Sequence, residues 1–129
     1  MPDTLYDTRF FLAAYSAERK LKPQVRSELQ ARKHRYASAI TIHEVYRMSL
    51  EGEGRDVAKM RKSAIERDFE IIDVDSDIAA ESAEIKVSQG RDFPIADAII
   101  AATAKLKRLI CFTDDNHIKS IDTLKTRWF

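Results

Sequence analysis

Short apolar runs alternate along the chain with longer amphipathic stretches, and this alternation constrains the fold more than any other sequence feature. Short apolar runs are typical of buried strands, whereas the longer stretches have helical spacing. A strand, a helix and a second strand in succession imply a crossover connection, and therefore two parallel strands. The sequence thus predicts an α/β fold with a doubly wound, mainly parallel sheet and helices on both faces.

The predicted elements fill the chain without a linker or an internal repeat. The strands are expected at 5–6, 36–39, 69–74, 109–112 and 123–128. The helices are expected at 10–15, 23–33, 41–50, 55–67, 76–89 and 94–107. Asp75 is suited to cap the helix that starts at 76, and Gly90 to end it. With 129 residues, 44% of them hydrophobic, the chain has the size of one domain, 1–129.

Charge and cysteine content narrow the possible functions. The 22 basic and 21 acidic residues leave a net charge of +1, so nucleic-acid binding must be local or must act through metal ions. The single cysteine, Cys111, excludes an internal disulfide and favours a cytoplasmic location. No signal peptide is recognised, and the apolar runs are too short to span a membrane. One cysteine and three histidines argue against a structural zinc site.

Four acidic residues stand out by their positions. Asp7 follows the first strand, Glu44 lies early in its helix, and Asp115 follows the fourth strand in Thr113-Asp114-Asp115. Asp97 interrupts a helix that is apolar nearly all round, so it should be largely buried and needs a cation, a proton or hydrogen bonds. In parallel sheets, ligands bind at the carboxyl ends of strands, near the point where strand order reverses. Hard divalent cations prefer carboxylate oxygens, so these acids together favour a metal site.

Each of these acids also has a purely structural reading. Asp7 can cap the helix that follows it, and Thr41-Ile42-His43-Glu44 has the form of a capping box. Asp97 lies near a helix N-terminus, where the macrodipole favours a negative charge. Asp115 can cap a following turn. For each acid considered alone, the structural reading is preferable. Four acids at these topological positions together favour the metal site.

Four segments resemble the motifs of PIN domains, and within them the small VapC-type toxins of prokaryotic toxin–antitoxin pairs. The segments are Tyr6-Asp7-Thr8, Thr41-Ile42-His43-Glu44-Val45, Pro94-Ile95-Ala96-Asp97-Ala98-Ile99-Ile100-Ala101-Ala102-Thr103-Ala104, and Thr113-Asp114-Asp115-Asn116-His117-Ile118. The resemblance implies sheet order 3-2-1-4-5 and endonuclease action on RNA with Mg²⁺ or Mn²⁺. It assigns Asp7, Glu44, Asp97 and Asp115 as metal ligands, with Thr113 in support. Thr8 matches a small polar position of the family.

The sequence departs from the family pattern at two positions: Arg9 replaces a small polar residue, and Ile118 stands where the family often has Phe. Arg9 and Arg47 are candidates for contact with substrate phosphate, as is Thr8 at its polar position. The resemblance further implies a VapB-type antitoxin in a groove formed around residues 41–67, with Val45, Met48, Leu50, Met60 and Ile65 as its apolar residues. A homodimer is also expected, and Trp128-Phe129 would pack on the sheet edge or join its interface.

Three other functions remain open from the sequence. A phosphoacceptor receiver domain would use Asp73 or Asp75 as acceptor, although the expected early acidic pair and late lysine are missing. A PIN fold that binds RNA or protein without cleaving is a second alternative, which the intact acid set disfavours. The third is a DNA nuclease with the same acids, since no residue here detects a ribose 2′-hydroxyl.

Overall fold

The computed structural model describes residues 3–15, 22–32 and 34–129 of the chain. The strands among them are β1 (Thr4–Tyr6), β2 (Arg35–Ser38), β3 (Glu70–Ile72), β4 (Ile110–Phe112) and β5 (Thr126–Arg127). The helices are α1 (Thr8–Tyr15), α2 (Lys22–Ala31), α3 (Ala39–Gly52), α4 (Arg55–Asp68), α5 (Ser76–Gln89), α6 (Ile95–Lys107) and α7 (Asn116–Lys119).

The strands form one parallel sheet of order β3-β2-β1-β4-β5. Leu5 of β1 is in register with Tyr36 of β2 on one side and with Cys111 of β4 on the other. The chain therefore runs outward from β1 to β3 and then returns to the far side of β1, which places the switch point at the carboxyl ends of β1 and β4. This confirms the predicted fold class and the strand order that the family resemblance implied.

The receiver-domain alternative is wrong for this fold. Receiver-type sheets have the order 2-1-3-4-5, whereas β3 here is an edge strand two places from β1. The carboxylate of Asp75, one of its candidate acceptors, caps α5 by accepting the backbone N–H of Ile78 at 2.8 Å. Asp73 likewise follows the edge strand rather than the centre of the sheet.

Alternate residues of the central strands face opposite layers of helices, as the pleat of a strand requires. Tyr6 and Phe112 belong to an aromatic core on the side of α1 to α4, with Phe10, Phe11 and Phe69. Their neighbours Leu5 and Cys111 point the other way and pack with residues of α6, next to a second apolar cluster shared by α5 and α6. Both faces of the sheet are covered, as predicted.

Several element boundaries differ from the prediction for local reasons. Ser38 Oγ accepts the backbone N–H of Ile40, so α3 begins at Ala39 and the capping box expected at Thr41 is wrong. The third strand spans only Glu70–Ile72, rather than 69–74, because only these residues pair with β2. The second helix ends at Ala31, and Lys33, its expected end, lies outside the described residues.

The two C-terminal residues pack on the aromatic core beside β5. The ring of Trp128 lies 5.0 Å from that of Phe112, and the ring of Phe129 lies 6.2 Å from that of Phe10. Phe129 remains 39% exposed. These contacts agree with the predicted packing of Trp128-Phe129 on the sheet edge. In the described part of the chain, no helix is both long and apolar enough to cross a membrane.

Candidate metal centre

Four elements bring acidic side chains to the switch point of the sheet. Asp7 follows β1, Asp115 follows β4, Glu44 lies on α3 and Asp97 lies on the first turn of α6. Asp97 interacts electrostatically with each of the other three carboxylates, which places all four in one neighbourhood. These four residues form the acidic centre.

The carboxylate of Asp7 is buried and hydrogen-bonded to the loop that follows β4. It is 2% exposed, and its Oδ2 accepts a hydrogen bond from Thr113 Oγ1 at 2.6 Å. Thr113 Oγ1 in turn accepts the backbone N–H of Asp115 at 2.9 Å. The Thr113 hydroxyl therefore ties the loop after β4 to the carboxylate after β1, which matches the supporting position that the family resemblance implied.

Glu44 is held by the Thr8 hydroxyl rather than by the end of its own helix. Thr8 Oγ1 donates to Glu44 Oε1 at 2.5 Å and lies 3.1 Å from Thr41 Oγ1. Thr8 and Thr41 are both buried. Thr8 thus orients an acidic side chain in this structure, which is an alternative to the substrate contact expected from the sequence.

Asp115 both caps α7 and belongs to the acidic centre. Its Oδ1 accepts the backbone N–H of His117 at 2.8 Å and that of Ile118 at 3.2 Å, which caps α7. Its side chain is 18% exposed and that of Asp97 is 16% exposed. Asp97 is therefore largely buried, as the sequence suggested, and its carboxylate still reaches solvent at the start of α6.

Burial and like charge raise the pKa of two members of the centre. Burial raises the pKa of Asp97 to about 7, and the neighbouring charges of Asp115, Asp7 and Glu44 add to that effect. Burial likewise raises the pKa of Asp7 to about 6, against the opposing hydrogen bond from Thr113. Among the described residues, no Lys or Arg forms an ion pair with Asp7 or Asp97. A multivalent cation would relieve this repulsion.

The donor set fits a hard divalent cation. The centre offers carboxylate oxygens, which Mg²⁺ and Mn²⁺ prefer. Candidate ligand atoms of Asp97, Asp115 and His117 all lie within 4.8 Å of one another. The side chains of Asp97 and Asp115 are partly exposed, so solvent reaches the centre.

The two arginines proposed for substrate binding have different surroundings. Arg9 is 50% exposed at the rim of the acidic centre, where it pairs with Asp114 and interacts with the charges of Asp115 and Asp7. Arg47 pairs with Glu51 one helical turn away on α3, at 2.8 Å. The structure therefore associates Arg9 with the centre and Arg47 with the outer surface of α3.

His117 also lies at the centre, a position that the sequence allowed but did not favour. Its Nδ1 lies 3.5 Å from Asp97 Oδ2 and 3.5 Å from Asp115 Oδ1. A lone histidine in a turn is usually structural or solvated, so the residue type alone did not indicate a place in the site. The signal available was its position two residues after a strand-end acid, which places it in the first turn of the helix that this acid caps.

Comparisons with known proteins find a matching family model and similar solved structures. Residues 4–124 match the model of the PIN domain family. A toxin–antitoxin complex from Klebsiella pneumoniae contains a similar chain, with 27% identity over 95% of each chain and a TM-score of 0.72. FitAcB from Neisseria gonorrhoeae is similar at 26% identity, over 95% of each chain, with a TM-score of 0.76.

A more distant structure shares the fold. VapC20 of Mycobacterium tuberculosis, described as a toxin that cleaves the sarcin–ricin loop, has 15% identity and a TM-score of 0.76 over 92% of this chain and 94% of its own. A comparison with curated proteins finds no match. Since the family model covers nearly all of its length, the chain belongs to the PIN domain family.

Proposed function

We propose that this chain is a Mg²⁺- or Mn²⁺-dependent endoribonuclease and the toxin of a VapC-type toxin–antitoxin pair. The observation that carries the proposal is the acidic centre itself. Asp7 and Asp97 are held beside two further carboxylates at the switch point, and neither forms an ion pair with a described Lys or Arg. Such a cluster destabilises the metal-free fold, and a bound cation offsets that cost.

Each residue of the centre has a proposed role. Asp7, Glu44, Asp97 and Asp115 hold the metal, while Thr113 and Thr8 fix the orientations of Asp7 and Glu44. When bound, the metal polarises water and offsets charge that develops on the phosphate during hydrolysis. Arg9 is placed to contact a backbone phosphate at the rim if the phosphate displaces it from Asp114.

The choice of RNA over DNA rests on the relatives. VapC20 is described as cleaving the sarcin–ricin loop, an RNA element, and it shares the fold of this chain. The similar chains from Klebsiella pneumoniae and Neisseria gonorrhoeae have higher identity, and the former comes from a toxin–antitoxin complex. The carboxylates by themselves are compatible with cleavage of either nucleic acid.

Cleavage of single-stranded RNA and of DNA of the same sequence tests this function directly. We expect internal cuts in RNA with Mn²⁺ or Mg²⁺, no cuts with EDTA, and little or no cleavage of the DNA. The reason is that removal of the cation leaves four repelling carboxylates and no electrophile. RNA binding without metal-dependent cleavage would instead support the inactive PIN module, and equal cleavage of DNA would support a general nuclease.

A groove on the outer side of α3 and α4 is proposed as the antitoxin site. This α3–α4 groove is strongly apolar, with a volume of about 500 Å³, and is lined by Ile42, His43, Tyr46, Arg47, Leu50 and Lys62. Of the apolar residues expected from the sequence, Met48, Leu50 and Met60 are exposed, whereas Val45 and Ile65 are buried in the core. An apolar floor with basic groups beside it suits an amphipathic segment that carries acidic residues.

The substitution Leu50→Glu should weaken antitoxin binding without unfolding the toxin. Leu50 is 43% exposed, so the new carboxylate can stay hydrated until the partner covers it. We expect a loss of about 2 kcal/mol, roughly 30-fold in Kd, for the protein encoded by the adjacent gene. Leu106→Glu is the matched control, because Leu106 on α6 is also 43% exposed. Unchanged binding by the Leu50 variant would contradict this site.

We also propose that the toxin forms a homodimer. Val87 near the end of α5 and Ile95 at the start of α6 are 84% and 65% exposed and flank one loop, so they offer apolar surface to a second copy of the chain. Analytical ultracentrifugation should give about twice the chain mass of 14.8 kDa, and Val87→Glu should shift the protein toward monomer. A wild-type protein that sediments as a monomer at high concentration would contradict the dimer.

A further inference from the structure

The imidazole of His117 lies among the oxygen atoms of the acidic centre. Its Nδ1 is 3.5 Å from one carboxylate oxygen of Asp97 and 3.5 Å from one of Asp115. This separation is longer than the ordinary N–H···O hydrogen bond of about 2.9 Å. It is close to the spacing of about 3.0–3.4 Å between two atoms that bind the same ion at about 2.1 Å. Since candidate ligand atoms of all three side chains lie within 4.8 Å of one another, a small adjustment of the side chains would let them share one cation.

Two contacts hold the His117 ring in this position. Its backbone N–H donates to Asp115 Oδ1 at 2.8 Å, which fixes the start of α7. The ring meets Phe93 edge to face, with centroids 5.5 Å apart and planes at 75°. Phe93 is 4% exposed and belongs to the core cluster of α5 and α6, so its own position is fixed. The imidazole is therefore oriented by the fold although it is half exposed.

We propose that His117 is a nitrogen ligand of the metal beside Asp97 and Asp115, and that it makes the centre select Mn²⁺ over Mg²⁺. This inference rests on the proposed metal-dependent function. Mg²⁺ binds oxygen ligands and retains its water, whereas imidazole favours transition metals. Mn²⁺ accepts both carboxylate oxygen and imidazole nitrogen. A mixed nitrogen and oxygen site thus gains affinity for Mn²⁺ without a matching gain for Mg²⁺.

Calorimetric titration of the full chain with Mn²⁺ alone and with Mg²⁺ alone tests the proposal. We expect His117→Gln to lower Mn²⁺ affinity by about tenfold or more and Mg²⁺ affinity by about twofold or less. His34→Gln is the matched control, because His34 is exposed and precedes β2, at the opposite edge of the sheet from the acidic centre. It should change neither affinity.

Pulsed electron paramagnetic resonance of bound Mn²⁺ gives a second readout that does not depend on activity. Coupling to a directly bound nitrogen should be present in the wild type and in His34→Gln, and lost in His117→Gln and His117→Ala. Loss of the coupling together with the lower Mn²⁺ affinity supports the proposal. If the wild type binds both metals and His117→Gln leaves their affinity ratio unchanged, the inference alone is overturned. If the wild type binds neither metal, both the inference and the proposed metal-dependent function are contradicted.

Discussion

The substitution Asp97→Asn should abolish RNA cleavage while leaving a folded and, without metal, more stable protein. Asparagine has the size of aspartate but lacks the negative charge that would hold the cation, so we expect a loss of at least about 100-fold in cleavage rate. Asp97 precedes the buried stretch of α6 from Ala98 to Ala104, and an isosteric change there disturbs little packing. Cleavage of labelled RNA under single-turnover conditions measures the effect.

The stability of the Asp97→Asn variant separates this explanation from misfolding. Because the pKa of Asp97 is raised to about 7, ionising its carboxylate opposes folding above that pH. At about pH 8 without metal, the neutral amide should raise the free energy of unfolding by about 1–2 kcal/mol. Asp122→Asn, at an exposed position after α7, should change neither cleavage nor stability appreciably. An inactive variant that is also less stable would instead indicate structural damage, and a fully active one would remove Asp97 from the proposed mechanism.

The metal-free wild-type protein should become less stable as the pH rises from about 4 to about 7. Burial raises the pKa of Asp7 to about 6 and that of Asp97 to about 7, both from 3.8. Across this window the folded state holds protons that the unfolded state has released, so the free energy of unfolding falls with pH. The stabilising contribution is fully present below about pH 4 and is lost above about pH 7. Together the two carboxylates contribute about 3 kcal/mol to the free energy of unfolding below about pH 4, allowing for partial solvent access.

Divalent metal should reverse this dependence. A cation binds the ionised centre, so it stabilises the folded state most where the carboxylates are deprotonated. At a metal concentration of about 100 times Kd, the gain is about 2.7 kcal/mol. Urea titrations in EDTA and in Mn²⁺ over this pH range provide the measurement. Subtracting the curve of Asp97→Asn removes the contributions of other titrating groups, such as Glu28, whose pKa is lowered by Arg127 and Tyr6 despite its burial. In EDTA, a free energy of unfolding that rises steadily with pH in the wild type, with no difference from the variant, would contradict the predicted cost of ionising the buried Asp97.

The sequence pattern by itself determined the fold class and the positions of the four acids along the chain, whereas the strand order followed from the resemblance to PIN domains. Alternation between short apolar runs and helical stretches is a local pattern, and crossover connections turn it into a parallel sheet. Parallel strands place their carboxyl ends at one edge of the sheet, and the pairing of β1 with β4 brings Asp7 and Asp115 together there. Element ends were less predictable, because Thr41 and Glu44 match a capping box although Ser38, at the end of β2, caps the helix.

Only the tertiary structure decided how the side chains of the site are held. The hydrogen bond from Thr113 to Asp7 joins residues 106 positions apart, and that from Thr8 to Glu44 joins residues 36 apart. The place of His117 between Asp97 and Asp115 depends on how α6 packs beside α7. Such contacts carry no local signature, because they form between segments whose approach is fixed by the packing of helices on the sheet. The chain sequence thus specifies which groups reach the switch point, and the packed fold specifies which of them touch.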